Sequence, residues 1–442
     1  MSYMLRPAAA LPTTLGAAVT SPFGAPPVGR GRDDACPGAL RLHPADDGAL
    51  ARVRLPGGLL TAAQAEALGR LSEELGDGHL DLTSRGNVQL RGLRSDAGGE
   101  LADRLGAAGL LPSIRHERVR NIVASPLAGV DGCGHADVQA WTRELDRLLC
   151  VSDAATGLSG RFLFALDDGR GDVAALGGDV TLIALPDRRA VLHVGPVAPG
   201  SGIAMPAEDG PRQALRAAEE FLAVLRDGGQ RAWRVREVDP DGSLIRARLG
   251  ASTPAETVDF GPPPGFGVVH DSDGTVAGLS LGLRFGRASA PQWRLLAEAA
   301  ARGSGELRLT PWRGVVLPGA SAAEVPILAE AGLIADSGSP WHGASACTGL
   351  PGCAKSLADV RRDAAEALAA QRPSTAKLLP VHWSGCARRC GHPGGDRWVD
   401  VLATADGYQV SVAGTDRADL PGSQQMSAAV AAARSTPQTR TT

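Results

Sequence analysis

Apolar and polar positions follow one pattern twice along the chain. Residues 53–92 read VRLPGGLLTAAQAEALGRLSEELGDGHLDLTSRGNVQLRG, and 281–319 read LGLRFGRASAPQWRLLAEAAARGSGELRLTPWRGVVLPG. Each opens on alternating apolar residues, which predicts a half-buried strand. Thr61 with Gln64, and Ser289 with Gln292, then form the hydroxyl-plus-amide signature of a capped helix start. Glycines end each predicted helix, and a further strand follows. With one residue deleted, Gly58, Gln64, Leu68, Thr83 and Gly92 align with Gly286, Gln292, Leu296, Thr310 and Gly319. A second helix comes next in both copies, GELADRLGAAGL and AAEVPILAEAGL. The unit is α+β, with helices covering one face of a sheet.

The duplication continues downstream. IVASPLAGV (122–130) aligns with SACTGLPGC (345–353), and Ala-Asp-Val recurs at Ala136 and Ala358. GDVTLIALPDRRAVLHVG from Gly178 and GDRWVDVLATADGYQVSVAG from Gly395 each predict a hairpin around a polar turn. The chain therefore divides into a disordered leader at 1–34, a half-module at 35–111, a larger α/β domain at 112–265, a second half-module at 266–335, a second α/β domain at 336–420 and a tail at 421–442. Pro7 and Pro12 interrupt the leader's short apolar stretch, which makes it a poor export signal. The Ser/Ala/Gln/Thr-rich tail is expected to be mobile.

Composition narrows the function classes. The 442 residues are 43% apolar, enough for substantial cores. A net charge of −3 argues against a general nucleic-acid binder, so an anion site must be a local cluster of arginines. No apolar run approaches the ~20 residues a membrane helix needs. Seven cysteines without an export signal are expected to be reduced thiols in the cytoplasm, where paired spacings point to metal or catalysis.

Four of the seven fall into two pairs, Cys347 with Cys353 and Cys386 with Cys390. Where the second copy has Cys347 and Cys353, the first has Ala124 and Val130, so the first cannot ligate metal there. The C-x5-C pair is wider than those of most structural zinc sites. Four thiolates suit a [4Fe–4S] cluster, which takes one sulfur per iron. Gly349, Gly352, Gly385 and Gly391 flank the thiols and would let backbone N–H groups approach the cluster. Cys36, Cys133 and Cys150 have no paired spacing.

With this duplication and this spacing, the chain resembles the nitrite/sulfite reductase family from Cys36 to about Leu420. The resemblance implies an internally duplicated fold of two ferredoxin-like half-modules, each followed by a larger α/β domain. It implies that Cys347, Cys353, Cys386 and Cys390 hold a [4Fe–4S] cluster. CPG at Cys36, SGCARRCGHP at Ser384 and the compact length resemble the family's oxygen-dependent precorrin branch. That branch implies hydroxylation of the tetrapyrrole precorrin-3A at carbon C20 with closure of a γ-lactone. O2 would supply the oxygen, and NADH or an electron-donor protein the reducing equivalents.

A precorrin carries many carboxylates, which the planar guanidinium fork binds at two points. By the resemblance, LTSRGN supplies Arg85, VRNIV supplies Arg120 and Asn121, and GRFLF supplies Arg161. The three arginines are expected to serve both catalysis and substrate binding, and Asn121 to bind substrate. Leu163 stands where the siroheme reductases carry a second cation, which argues for an apolar wall beside a large substrate. Arg388 and Arg389, inside the second cysteine pair, are expected to reach the substrate or balance the cluster's charge. Arg313 is a further candidate at the second copy's strand end. His392 is expected as a proton donor or as a ligand to an additional non-haem iron, with His382 and His116 as alternatives. Two other readings stay open: a siroheme-dependent nitrite or sulfite reductase, and a non-enzymatic iron–sulfur electron carrier.

Overall fold

The structure is a computed structural model that describes residues 34, 36–250, 259–376, 378–393, 397–412, 418–420 and 423–435. The leader expected at 1–34 lies outside the described residues except for Asp34, as do the tail residues 421–422 and 436–442.

Both predicted helix starts form as the sequence dictates. Thr61 caps the helix Ala62–Leu75 and Ser289 caps Ala290–Arg302, each in a reciprocal capping box with its glutamine. The strand leading into each helix, however, does not stay with its own copy. One antiparallel sheet runs in the spatial order Ala49–Val53, Val88–Leu93, His79–Leu82 and Arg287–Ser289. The other runs Gly267–His270, Val276–Gly282, Gly314–Pro318, Glu306–Leu309 and Leu59–Thr61. Each half-module thus donates its pre-helix strand to the sheet of the other: Leu60 pairs with Leu307, and Ala288 with Leu80. The exchange covers an edge that each sheet would otherwise leave unpaired.

The two half-modules share one core. Leu60, Leu68, Leu80 and Val88 pack in the same apolar cluster as Leu279, Trp293, Leu296 and Leu307. The Trp293 indole N–H, fully buried, donates to the Ala65 carbonyl of the opposite helix at 2.8 Å. Their separation in the sequence therefore does not correspond to two independent bodies.

The two α/β domains have the same topology. In the first, Ile122–Ala124, Phe164–Asp167 and Val180–Leu185 are parallel, and Arg189–Val194 and Ile203–Pro206 complete the sheet antiparallel. In the second, Ala344–Ala346, Val381–Ser384 and Val399–Thr404 are parallel, followed by Gly407–Val412 and Ala418–Leu420. Both Ala-Asp-Val repeats prove to be helix caps. Asp137 caps Val138–Val151 and Asp359 caps Val360–Ala369. The tail corrects the expectation of mobility: Ser423–Arg434 is a helix with Met426 and Val430 buried. It packs on the second sheet and on Val360–Ala369, as Gly210–Asp227 packs on the first sheet and on Val138–Val151. Its alanine-rich sequence resembles a mobile tail, but its two large apolar residues complete a core.

No helix is long and apolar enough to cross a membrane, among the described residues.

Candidate functional site

The cysteines leave the C-terminal ends of parallel strands, where open α/β sheets place ligand sites. Cys347 follows Ala344–Ala346 and Cys386 lies two residues past Val381–Ser384. The Gly385 N–H donates to Cys347 Sγ at 3.2 Å. Burial pushes the Cys347 thiol up, N–H groups of Gly385 and Gly349 oppose this, and Cys390 and Cys386 push it up further. The three thiols lie within reach of one another's charge. The Cys353 segment joins them through Ser356 N–H to Cys353 O at 3.0 Å and Leu357 N–H to Gly385 O at 2.8 Å.

The carbonyls of the cysteine segments are held from outside. Arg361 Nε donates to Cys347 O at 3.2 Å, and Arg91 Nη2 to Gly352 O at 3.5 Å. Arg313 Nη2 donates to Gly391 O at 3.3 Å. His382 Nε2 lies 3.1 Å from Cys390 O, with Nδ1 2.8 Å from Ser345 Oγ. These partners make Nε2 the protonated nitrogen, the only arrangement in which the carbonyl receives a donor. Burial holds His382 down to about 4, so it is neutral, with its two ring nitrogens engaged by Cys390 O and Ser345 Oγ. Among the described residues no three His, Cys, Asp or Glu side chains gather around a point fit for one metal ion. A [4Fe–4S] cluster gives each thiolate its own iron, so its cysteines need not meet at a point. Four thiols on one strand-end loop system, a backbone N–H already on one sulfur and cationic donors outside fit such a cluster.

A second group of polar residues sits on the first half. Arg54 is 3% exposed and donates to Arg118 O at 3.2 Å and Gly160 O at 3.3 Å. Arg85 Nη1 donates to the same Gly160 O at 3.3 Å. Arg52 reaches Gln89 Oε1 at 3.2 Å. Arg161 lies 4.4 Å over the Trp233 ring. Among the described residues Arg52, Arg54 and Arg85 pair with no carboxylate, while Arg161 stands 3.9 Å from Asp34. Burial pushes Arg54 down to about 9, with Arg52 adding to it, and pushes Arg85 down to about 10, with Arg234 adding to it. These guanidiniums gain from a bound anion. Burial also raises the Cys36 thiol beside them, and Asp34 raises it further.

Other expected site residues are placed differently. Arg120 is 4% exposed and grips Asp146 at two points, 2.6 and 2.7 Å, with a third bond to Leu110 O. Its donors are engaged inside the protein, so the structure does not bring it to an open face as the expected role in catalysis and substrate binding asks. Asn121 is fully buried: it accepts from Asn87 Nδ2 at 3.0 Å and donates to Phe162 O at 3.0 Å, joining half-module to domain. Its amide is engaged inside the protein, where the expectation had it meet substrate. Leu163, expected as a pocket wall, is 4% exposed in a small core with Val123, Ala165 and Val173, against which Trp312 packs. His116 is buried between Ser113 Oγ and Ser152 O. Arg389 pairs with Asp400 at 2.7 Å, whereas Arg388 is exposed. His392 is exposed and stacks on Trp398 at 5.4 Å, with Nδ1 2.8 Å from Pro393 O.

Sequence reasoning missed Arg54, Arg52, Arg91 and Arg361. The signal available for the first two was RVRLPGG itself, two arginines two residues apart at the end of a strand.

The fold and this arrangement define a duplicated α+β protein with both cysteine pairs in one half. The chain belongs to the nitrite/sulfite reductase family. The family profile described as nitrite/sulfite reductase ferredoxin-like half domain matches residues 43–108 and 271–332. The chain is 30% identical over 410 residues to the sulfite reductase [NADPH] hemoprotein beta-component of Acidithiobacillus ferrooxidans, covering 78% of this chain and 72% of that protein. It is 28% identical over 394 residues to a precorrin-3B synthase of a Sinorhizobium species, covering 87% and 83%. The solved structure of the Mycobacterium tuberculosis NirA protein shares its fold, with a TM-score of 0.67 at 20% identity over 86% of this chain and 79% of that one.

Proposed function

We propose that the chain is an oxidoreductase that hydroxylates precorrin-3A at carbon C20 and closes its γ-lactone, forming precorrin-3B with O2 and electrons drawn ultimately from NADH. The observation that carries the reading is the arginine group at Arg52, Arg54, Arg85 and Arg161: Asp34 and Asp179 lie nearby, but among the described residues no carboxylate pairs with Arg52, Arg54 or Arg85. A polycarboxylate tetrapyrrole supplies the missing negative charge. The similarity to a protein named precorrin-3B synthase over 87% of the chain supports the same substrate class.

Cys347, Cys353, Cys386 and Cys390 would hold a [4Fe–4S] cluster. When bound, such a cluster supplies single electrons. The protein's own residues do the rest. Arg54 and Arg85, already oriented by Gly160 O, hold carboxylates with little further loss of side-chain freedom. Arg161, exposed and stacked on Trp233, is placed to grip a carboxylate at the rim. His392 Nε2 has no partner among the described residues and is free to move a proton. Arg388 is free to meet an acidic substituent.

The test begins with anaerobic purification, a visible spectrum and iron and sulfide counts. The protein is then incubated with precorrin-3A, an electron donor and air. Formation of the hydroxylated lactone is expected, without a porphyrinoid band in the starting protein. The second reading is a siroheme-dependent nitrite or sulfite reductase, favoured by 30% identity to a sulfite reductase hemoprotein. A strong porphyrinoid band, with nitrite or sulfite consumed from a reduced dye, would replace the first reading with the second. A redox-active cluster without tetrapyrrole affinity would reduce the protein to an electron carrier.

A further inference from the structure

The tightest turn of each half-module is built the same way. Thr83 N–H donates to Asn87 O and Thr310 N–H to Gly314 O, both at 2.9 Å. Each threonine hydroxyl accepts the N–H four residues on, Asn87 at 3.2 Å and Gly314 at 3.0 Å. The penultimate position must be left-handed: Gly86 has φ 65° and Arg313 has φ 62°. Glycine adopts this conformation freely, whereas an L side chain is strained in it. The first copy uses glycine; the second places an arginine at the same strained position. Nothing in the turn itself calls for that side chain.

The side chain is accommodated from outside the turn. A Cβ on Gly286 would lie 2.6 Å from Arg313 Cδ, so Gly286 leaves the channel through which Arg313 runs. At its far end Arg313 Nη2 donates to Gly391 O, the residue after Cys390. Among the described residues it pairs with no carboxylate. Its neighbour Arg361 performs the matching service at Cys347 O, but Arg361 is paired with Asp81 at 3.2 Å.

We propose that Arg313 is a positioning and charge-compensating residue for the thiolate site, fixing the Cys390 segment and placing an unshared positive charge beside the cluster. This rests on the reading that the four cysteines hold a [4Fe–4S] cluster. Adding an electron to that cluster adds a negative charge, which a nearby guanidinium favours. Removing the guanidinium therefore makes reduction harder.

The test compares wild type with Arg313→Gly, Arg313→Gln and Arg313→Lys, all loaded anaerobically with iron and sulfide. Three quantities are read: iron and sulfide content, the midpoint potential in a dye-mediated reductive titration, and the thermal unfolding midpoint. Arg313→Gly is expected to unfold at the same or a higher temperature, because it relieves the left-handed strain. It and Arg313→Gln are expected to shift the potential to more negative values, and Arg313→Lys to stay near wild type. Unchanged potentials in the Gly and Gln variants overturn the proposal. So does an Arg313→Gly protein that unfolds far below wild type while Arg313→Gln keeps the wild-type potential, since the side chain is then only a strut. A wild-type protein that takes up no iron and sulfide overturns the cluster reading, and this proposal with it.

Discussion

The strand-end loops of the two α/β domains have one geometry and opposite chemistry. In the second domain Gly385 N–H donates to Cys347 Sγ at 3.2 Å; in the first, Asp168 N–H donates to Ser125 Oγ at the same 3.2 Å. The strand register makes the pairs equivalent, since Cys347 N–H bonds Trp383 O as Ser125 N–H bonds Leu166 O. The counterpart of Cys347 is thus Ser125 rather than Ala124, one residue from the alignment by sequence. Around Ser125 the first domain fills the loop with acids that satisfy themselves. Asp167, fully buried, accepts N–H bonds from Gly169, Gly171, Val173 and Ala174. Arg170 is clamped between Asp168 and Asp131. Burial, with the neighbouring Asp167, pushes Asp172 up to about 7, and it accepts from Ser125 Oγ at 2.6 Å. One copy fills its loop with acids and internal hydrogen bonds; the other sets thiols at the same place.

The comparison breaks if the two loops respond alike. Cys353→Ser should lose essentially all bound iron and sulfide, read by elemental counts and the visible spectrum, while still folding. A variant that retains both would remove the cysteine loop's special status. Asp167→Ala should do the reverse. It strands four backbone N–H groups and should cost about 4 kcal/mol or more in denaturant unfolding. Iron uptake by the folded fraction should stay at wild type.

Each half also buries a histidine that burial keeps from charging, His193 in the first and His382 in the second, and acid tests both. Burial holds His193 and His382 down to about 4, against 6.5 when unfolded. Between those values the unfolded chain binds protons that the folded chain refuses. Stability is therefore full above pH 6.5 and falls as pH drops towards 4, by up to roughly 3 kcal/mol for each histidine. In His193→Gln the slope of unfolding free energy against pH should be shallower; an unchanged slope would remove His193 from the account. The smallest effect belongs to the most symmetric feature. Thr61→Ala and Ser289→Ala should each cost about 1 kcal/mol, and equally, by thermal or denaturant unfolding.

The candidate site was nominated residue by residue. The paired cysteines, Arg85 and Arg161 stand out because their motifs carry unusual chemistry at fixed spacing. For Arg120 and Asn121 the motif did not reveal that their donors meet Asp146 and Phe162 O inside the protein. Arg54 escaped notice because its importance lies in the lack of a carboxylate, a property of its surroundings. The tail escaped because its helix is recognisable only against the sheet it covers.

Local sequence alone determined the repeated strand–helix–strand units, their capping boxes at Thr61 and Ser289 and the Asp137 and Asp359 caps, since each depends on residues within one turn of chain. It also determined that only one half carries paired thiols. The tertiary structure decided the exchange of Leu59–Thr61 and Arg287–Ser289 between sheets, the true counterpart of Cys347 and which arginines stay uncompensated. Those outcomes depend on edges that must find partners and on charges brought together from distant segments, and short-range patterning encodes neither.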